Sequence, residues 1–289
     1  MRLIRSMCGV FFAAVIAGCS TYNLQQAQDS YVDAVASEQV LTLESGVTAL
    51  AQYKITLVMV DEVIQKDRKR LEQDGLLGVA YTLKALTLFK IADLETDQLV
   101  AGEIPSSETP QVSEAGTSRQ NLLEFLRSVY PENGKPPVVY GTRDSAVMRS
   151  LYGLYDYIGG RAETDAAAAI RWFRSAIKQL EEAHSRAPAT HDVQAVIALY
   201  ELTVLAEWDW RAEGNQNLLE DGQGNDLVLQ NTEKVLCRTE SLWRENRMKQ
   251  DLGFNNREYL KAFWQKIAIA GTKPSESKCD SMRERGEIN

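Results

Sequence analysis

Histidine is almost missing from this chain of 289 residues; only His184 and His191 occur. A serine or cysteine nucleophile needs a base, and a zinc site without a CxxC pair needs imidazoles, so both chemistries are starved of parts. The sequence also lacks a GxSxG elbow, an HExxH helix motif, a Walker loop and a GxGxxG turn, and there is no strand-helix alternation to carry such motifs. Basic charge is in deficit: 32 Lys and Arg stand against 40 Asp and Glu, for a net charge of −8. That balance argues against nucleic acid and an anionic lipid surface as partners, since both need basic patches. Long apolar runs are absent too. The stretch Met7 to Ala17 is too short to span a bilayer as a permanent helix, and none later in the chain is longer.

What the first twenty residues do contain is ordered. Arg2 and Arg5 precede the apolar run, and Ile16, Ala17 and Gly18 lead into Cys19 and Ser20. Basic residues, a short hydrophobic segment and small residues before a cleavage point make a secretory signal. The match of Ile16-Ala17-Gly18-Cys19 to an aliphatic residue, two small residues and a cysteine resembles a bacterial lipoprotein signal. The resemblance implies cutting before Cys19, acylation of its sulfur and its new amine, and membrane attachment through lipid. An ordinary signal peptide with an incidental cysteine is the alternative. Loss of residues 1 to 18 would leave 271 and remove Arg2 and Arg5, moving the net charge from −8 to −10. Ser20 directly after the cysteine, in place of Asp, resembles lipoproteins sent to the outer membrane and facing the periplasm.

Four cysteines occur. Cys8 would leave with the leader and Cys19 would carry the lipid, so Cys237 and Cys279 remain. In an oxidising compartment the remaining pair reads first as a disulfide and second as two independent thiols.

Hydrophobic periodicity predicts an all-α protein. A first helix is expected near Leu24 to Gln39 and a second from Leu43 to Gln73, where Leu43, Leu50, Leu57, Ile64 and Leu71 recur every seven residues. The β-branched patch Ile55 to Val60 lies inside that uninterrupted stripe and reads as helix. Asp74 is the expected cap of a third helix reaching Leu99, with Gly75 and Gly78 weakening the join. Gly102 to Thr117, rich in Pro, Ser and Gly, reads as a loop and boundary, followed by a helix from Ser118 to Val129. Then come helices from Asp144 to Ile158, stopped by Gly159-Gly160, from Thr164 or Asp165 to Ala187, from Val193 to Asp209, from Leu227 to Gln250 and from Asn256 to Ala270. The expected organisation is a leader over 1–18, a helical region over 19–101, a loop-rich linker with one short helix over 102–142, a second helical region over 143–271 and a polar tail over 272–289.

The helical pair after residue 143 is the clearest. Ala169, Phe173 and Ala176 on its second helix put small, aromatic and small residues on one face, and this order, with a glycine turn before it, resembles a tetratricopeptide repeat. The first helix lacks that family's tryptophan and the proline, Pro188, falls late. The resemblance implies antiparallel helical hairpins stacked as a TPR-like α-solenoid, with a concave surface suited to a peptide or a partner's helix.

The remaining polar clusters read as structure. His184 lies near a helix C-terminus, where the helix dipole favours a cation. Glu181-Glu182 and Glu207 with Asp209 read as outer-face charges, and Lys66 to Arg70 is a patch of mixed sign. Asp221 to Asp226 has acids and glycines but not the register of an EF-hand, so a solvated loop is expected and no metal site. Trp208 and Trp210 point to nearly opposite sides of a helix, so one of them packs in the core. Tyr152, Tyr155 and Trp208 are the groove candidates. The expectation is a lipid-anchored, non-enzymatic scaffold without cofactor, binding another envelope protein or peptide. A solute-binding accessory of a transporter and a peptidoglycan-acting enzyme or activator are the alternatives.

Overall fold

The computed structural model describes residues 18–38, 43–100, 110–187, 191–240, 258–269 and 274–288. Most of the leader, residues 102–109 of the expected Gly102–Thr117 loop, Pro188 and residues 241–257 lie outside them; the rest of that loop is helical. Among the described residues the chain forms ten α-helices: α1 (Gly18–Glu38), α2 (Leu43–Gln73), α3 (Leu77–Val100), α4 (Pro110–Val129), α5 (Thr142–Ala162), α6 (Ala166–Ser185), α7 (His191–Arg211), α8 (Leu227–Arg238), α9 (Glu258–Ile269) and α10 (Glu276–Glu284). They pack as sequential antiparallel pairs. The chain divides into two compact units, residues 1–158 and 159–289.

In the first unit, α1 buries Leu24, Ala27, Ser30 and Ala34, a stripe of three-and-four spacing, against Ala49, Tyr53, Thr56 and Val60 of α2. The small residues bring the two backbones close. A polar seam runs through this contact: the Ser30 and Thr56 hydroxyls lie 2.7 Å apart, and Gln52 donates to Ser30. Of the heptad leucines, Leu71 is fully buried, whereas Leu50 and Leu57 are only partly buried. The deepest row is one step round the helix, because α2 faces both α1 and α3. The expected cap at Asp74 is replaced by a glycine stop. Gly75 adopts φ +70°, its N–H donates to the Glu72 carbonyl, and the Leu76 N–H donates to the Leu71 carbonyl, the Schellman pattern.

Helix α3 is the centre of this unit and is buried nearly all round. Its threonines satisfy their own hydroxyls: Thr82, Thr87 and Thr96 each donate to the carbonyl four residues back. Gly78 in its first turn admits the chain at 139–140, since a Cβ there would lie 2.7 Å from the Val139 carbonyl oxygen. Helix α4 begins at Pro110, eight residues before the expected start, and proline is at home in a first helical turn. Its Leu122, Leu126 and Val129 are buried, and it packs on α3.

The glycine pair expected to stop α5 does not do so; the helix continues to Ala162. Gly160 is instead a packing residue, because a Cβ on it would come within 2.4 Å of the buried Phe173 ring. In the second unit, Asp165 caps α6 by accepting from the Ala168 N–H, and Ala169, Phe173, Ala176 and Leu180 are fully buried. Helix α7 packs against α6, α8 and α9. The expected polar tail is helical from Glu276, capped by Ser275. Cys237 of α8 and Cys279 of α10 are joined as a disulfide, in a cluster with Met282 and Ile288.

Two substitutions test these contacts. Gly160→Ala gains helix propensity of about 1 kcal/mol but overpacks the core at a cost of about 1–3 kcal/mol. Urea unfolding should therefore show a net loss of stability that shrinks in a Phe173→Leu background; a gain in stability would contradict the packing role. The disulfide spans 42 residues, so Cys279→Ser should cost about 4 kcal/mol on the chain-entropy account. Amides of 276–284 should then exchange faster than the rest of the second unit.

Candidate functional site

A cleft of about 250 Å³ opens in the first unit between α2, α3 and α4. Its floor is apolar, from Leu57, Leu88 and Ile91. The rest of the lining is polar: Lys54 on α2, Glu95 on α3, and Thr117, Ser118 and Asn121 on α4. The volume lies just below the ~300 Å³ at which small-molecule pockets begin, and it suits one side chain better than a whole cofactor. Helical spacing explains the lining. Lys54 and Leu57 are one turn apart on α2, Leu88, Ile91 and Glu95 follow at three and four on α3, and Thr117, Ser118 and Asn121 at one and three on α4.

Glu95 is the chemically unusual member. Its side chain is 7% exposed, and Lys54 Nζ sits 2.9 Å from Oε1. Its other oxygen, Oε2, is buried without a hydrogen-bond partner. A buried carboxylate oxygen left unmatched costs about 1–3 kcal/mol or more, so this group is poised to accept. Lys54 itself is 51% exposed. Beside the cleft on α2, Ile55 and Val58 stand out in solvent, with Val47 nearer the helix start.

A second buried polar centre lies in the other unit. Glu201 of α7, wholly inaccessible, accepts from Arg238 of α8 at 3.1 Å through Oε1, and Arg238 also donates to Glu181 of α6 at 2.7 Å. His184 Nδ1 lies 3.5 Å from Glu201 Oε2. His184 is therefore an interior residue facing an acid. The arrangement ties three helices together.

Comparison of the chain with protein-family models, with curated proteins and with solved structures finds no match. The reading of function rests on the residues alone.

The residues singled out in the sequence are dispersed. Tyr152 is 2% exposed and donates its hydroxyl to the Tyr130 carbonyl at 2.8 Å. Burial, then the nearby Glu132 carboxylate, pushes its phenol up to about 12, so it stays a protonated donor. Tyr140 is raised further, again by burial first, and donates to the Val129 carbonyl. Tyr155 is half-buried under the Arg119 guanidinium, 4.4 Å from the ring centre. Trp208 is 1% exposed, its indole N–H donating to the Leu218 carbonyl. Tyr152 and Trp208 thus fill cores, and none of the three lines the cleft.

The acid pairs are all matched by cations: Glu182 with Arg186, Glu207 with Arg211, and Asp209 with Lys266. His191 opens α7. In the loop at Asp221, its carboxylate accepts from the Gln223 and Asn225 backbone N–H groups. Hydrogen bonds from Asn225, then Gln223, lower its pKa, and Asp226 caps α8. Among the described residues no three His, Cys, Asp or Glu side chains come together to hold a metal.

Sequence reasoning missed Lys54, Glu95, Glu201 and Arg238. The signal for the acids was present: Glu201 interrupts the apolar run Val196 to Ala206, and Glu95 follows the apolar face of α3. An acid within a helix of that kind has to be buried with a partner. Arg238→Met should cost about 3–5 kcal/mol in chemical unfolding, because Glu201 loses its compensating charge. Adding Glu201→Gln should restore a large part of that loss; no restoration would mean that the pair is not coupled.

Proposed function

We propose that this chain is a lipoprotein of the cell envelope, attached through Cys19 to the outer membrane and facing the periplasm. Its helical pairs, read as TPR-like repeats, act as a non-catalytic scaffold that holds a segment of another envelope protein during assembly or transport. The anchoring half of the reading rests on Ile16-Ala17-Gly18-Cys19 after a short basic and apolar leader. Several acyl chains at one cysteine give stable membrane residence where a single chain is marginal. No described helix is long and apolar enough to cross a membrane.

The observation that carries the binding half is the cleft of the first unit, with Ile55 and Val58 exposed beside it. Apolar side chains clustered next to a concavity are the mark of a polypeptide-docking surface, taking one anchor side chain in the pocket and others on the shelf. The paired acids and the scarcity of histidine support binding over catalysis.

Two measurements test the halves separately. Cys19→Ala should move the protein from the membrane pellet to the soluble fraction; full retention in the pellet would remove the anchor. A photo-crosslinking side chain at Val58 should capture a discrete partner in native membranes, whereas one at Gln223 should not. Equal capture at both positions, or at neither, would count against docking at this face.

A further inference from the structure

We infer that the cleft between α2, α3 and α4 is a receptor for an arginine side chain of a partner polypeptide, with Glu95 as its ligand and Lys54 as a displaceable stand-in. The inference rests on the docking reading above and names the chemistry of the anchor.

The argument begins with the unfilled valence. A carboxylate buried to 7% exposure accepts from Lys54 on Oε1 alone, and Oε2 has no donor. A lysine ammonium is a point charge, and here it reaches one oxygen. A guanidinium presents two parallel N–H groups in a fixed fork that matches both oxygens of one carboxylate. The missing bond at Oε2 is therefore the one that arginine supplies and lysine does not.

Access follows from the same pair. Lys54 is half exposed and sits on a flexible stem, so its ammonium regains water as it withdraws, and the guanidinium replaces it on the buried carboxylate in the same exchange, so that Glu95 is not left without a cation. The incoming group enters from the side that Lys54 vacates. Its aliphatic stem meets Leu57, Leu88 and Ile91 on the cleft floor. The departing ammonium stays near the polar lining, where Ser118 and Asn121 offer oxygen acceptors. Lysine as ligand would only exchange one ammonium for another, and an acidic or neutral anchor would leave Glu95 unpaired.

The test uses the full mature chain and an alanine-based helical peptide carrying one arginine flanked by leucines a turn away on either side. Versions with lysine or with neutral, isosteric citrulline serve as controls, and binding is read by fluorescence anisotropy. The arginine peptide should bind about tenfold or more tightly than either control, as expected when a charge-assisted bond is gained at a buried oxygen. Glu95→Gln should abolish the preference. Lys54→Met should strengthen arginine binding about threefold or more by removing the competitor, and it keeps the test alive should Glu95→Gln fold poorly. Equal affinity for the three peptides, a preference that survives Glu95→Gln, or weaker binding in Lys54→Met would each overturn the inference. Loss of arginine preference with crosslinking at Val58 intact would sink this inference alone; loss of both would sink the docking reading as well.

Discussion

Each compact unit is organised round a central helix: α3, buried nearly all round, in the first, and α7, packed against three other helices, in the second. Burying a helix on nearly every side gains the most apolar area per residue, but each polar side chain on it must then find a partner inside the protein. The threonines of α3 solve this locally by bonding back to the helix carbonyls. The glutamates cannot, because a carboxylate only accepts. Glu95 and Glu201 must be met by cations from neighbouring helices, and so they fix which helices lie beside α3 and α7.

That constraint also explains what was legible in the sequence. The extent of α2, Leu43 to Gln73, follows from periodicity and agrees with the structure to the residue. The all-α class followed from pattern, and the Cys237–Cys279 disulfide from pairing the two cysteines that lie beyond the expected leader and its Cys19. What failed was anything that depended on a neighbour. The row of α2 that goes deepest, Ala49, Tyr53, Thr56 and Val60, is set by two partners, and a heptad count does not single it out. Gly159-Gly160 looked like a helix stop because glycine is a poor helix former. It continues the helix because Phe173, thirteen residues on from Gly160, needs the space. The tail after residue 271 is mostly polar and reads as a solvated segment, yet the bond from Cys279 to Cys237 and the burial of Met282 and Ile288 give part of it a helix.

The candidate site was the least legible part. Aromatic residues drew the reading toward Tyr152, Tyr155 and Trp208, since large rings often line grooves. Two of them are held in cores by hydroxyl or indole bonds to backbone carbonyls, which is how a buried ring with a polar tip is usually satisfied. The cleft is instead lined by common aliphatic and small polar residues from three helices, none of them unusual in sequence. Only their convergence makes a site, and convergence over sequence separations of about twenty to seventy residues is not a property of any one window.

Glu95 and Glu201 share a residue type, a depth and an unmatched Oε2, and they differ in the cation. Arg238 is 10% exposed, bonds two acids at once and is held from both sides. Its removal strands a charge in a dry interior, so the arrangement is fixed and serves to tie α6, α7 and α8. Lys54 is 51% exposed and bonds one oxygen. Its ammonium already meets water, so another cation can take its place on Glu95 from the cleft lined by Leu57, Leu88 and Ile91. The exposure of the counter-ion, more than the burial of the acid, separates the internal brace at Glu201 from the cleft proposed to take another molecule.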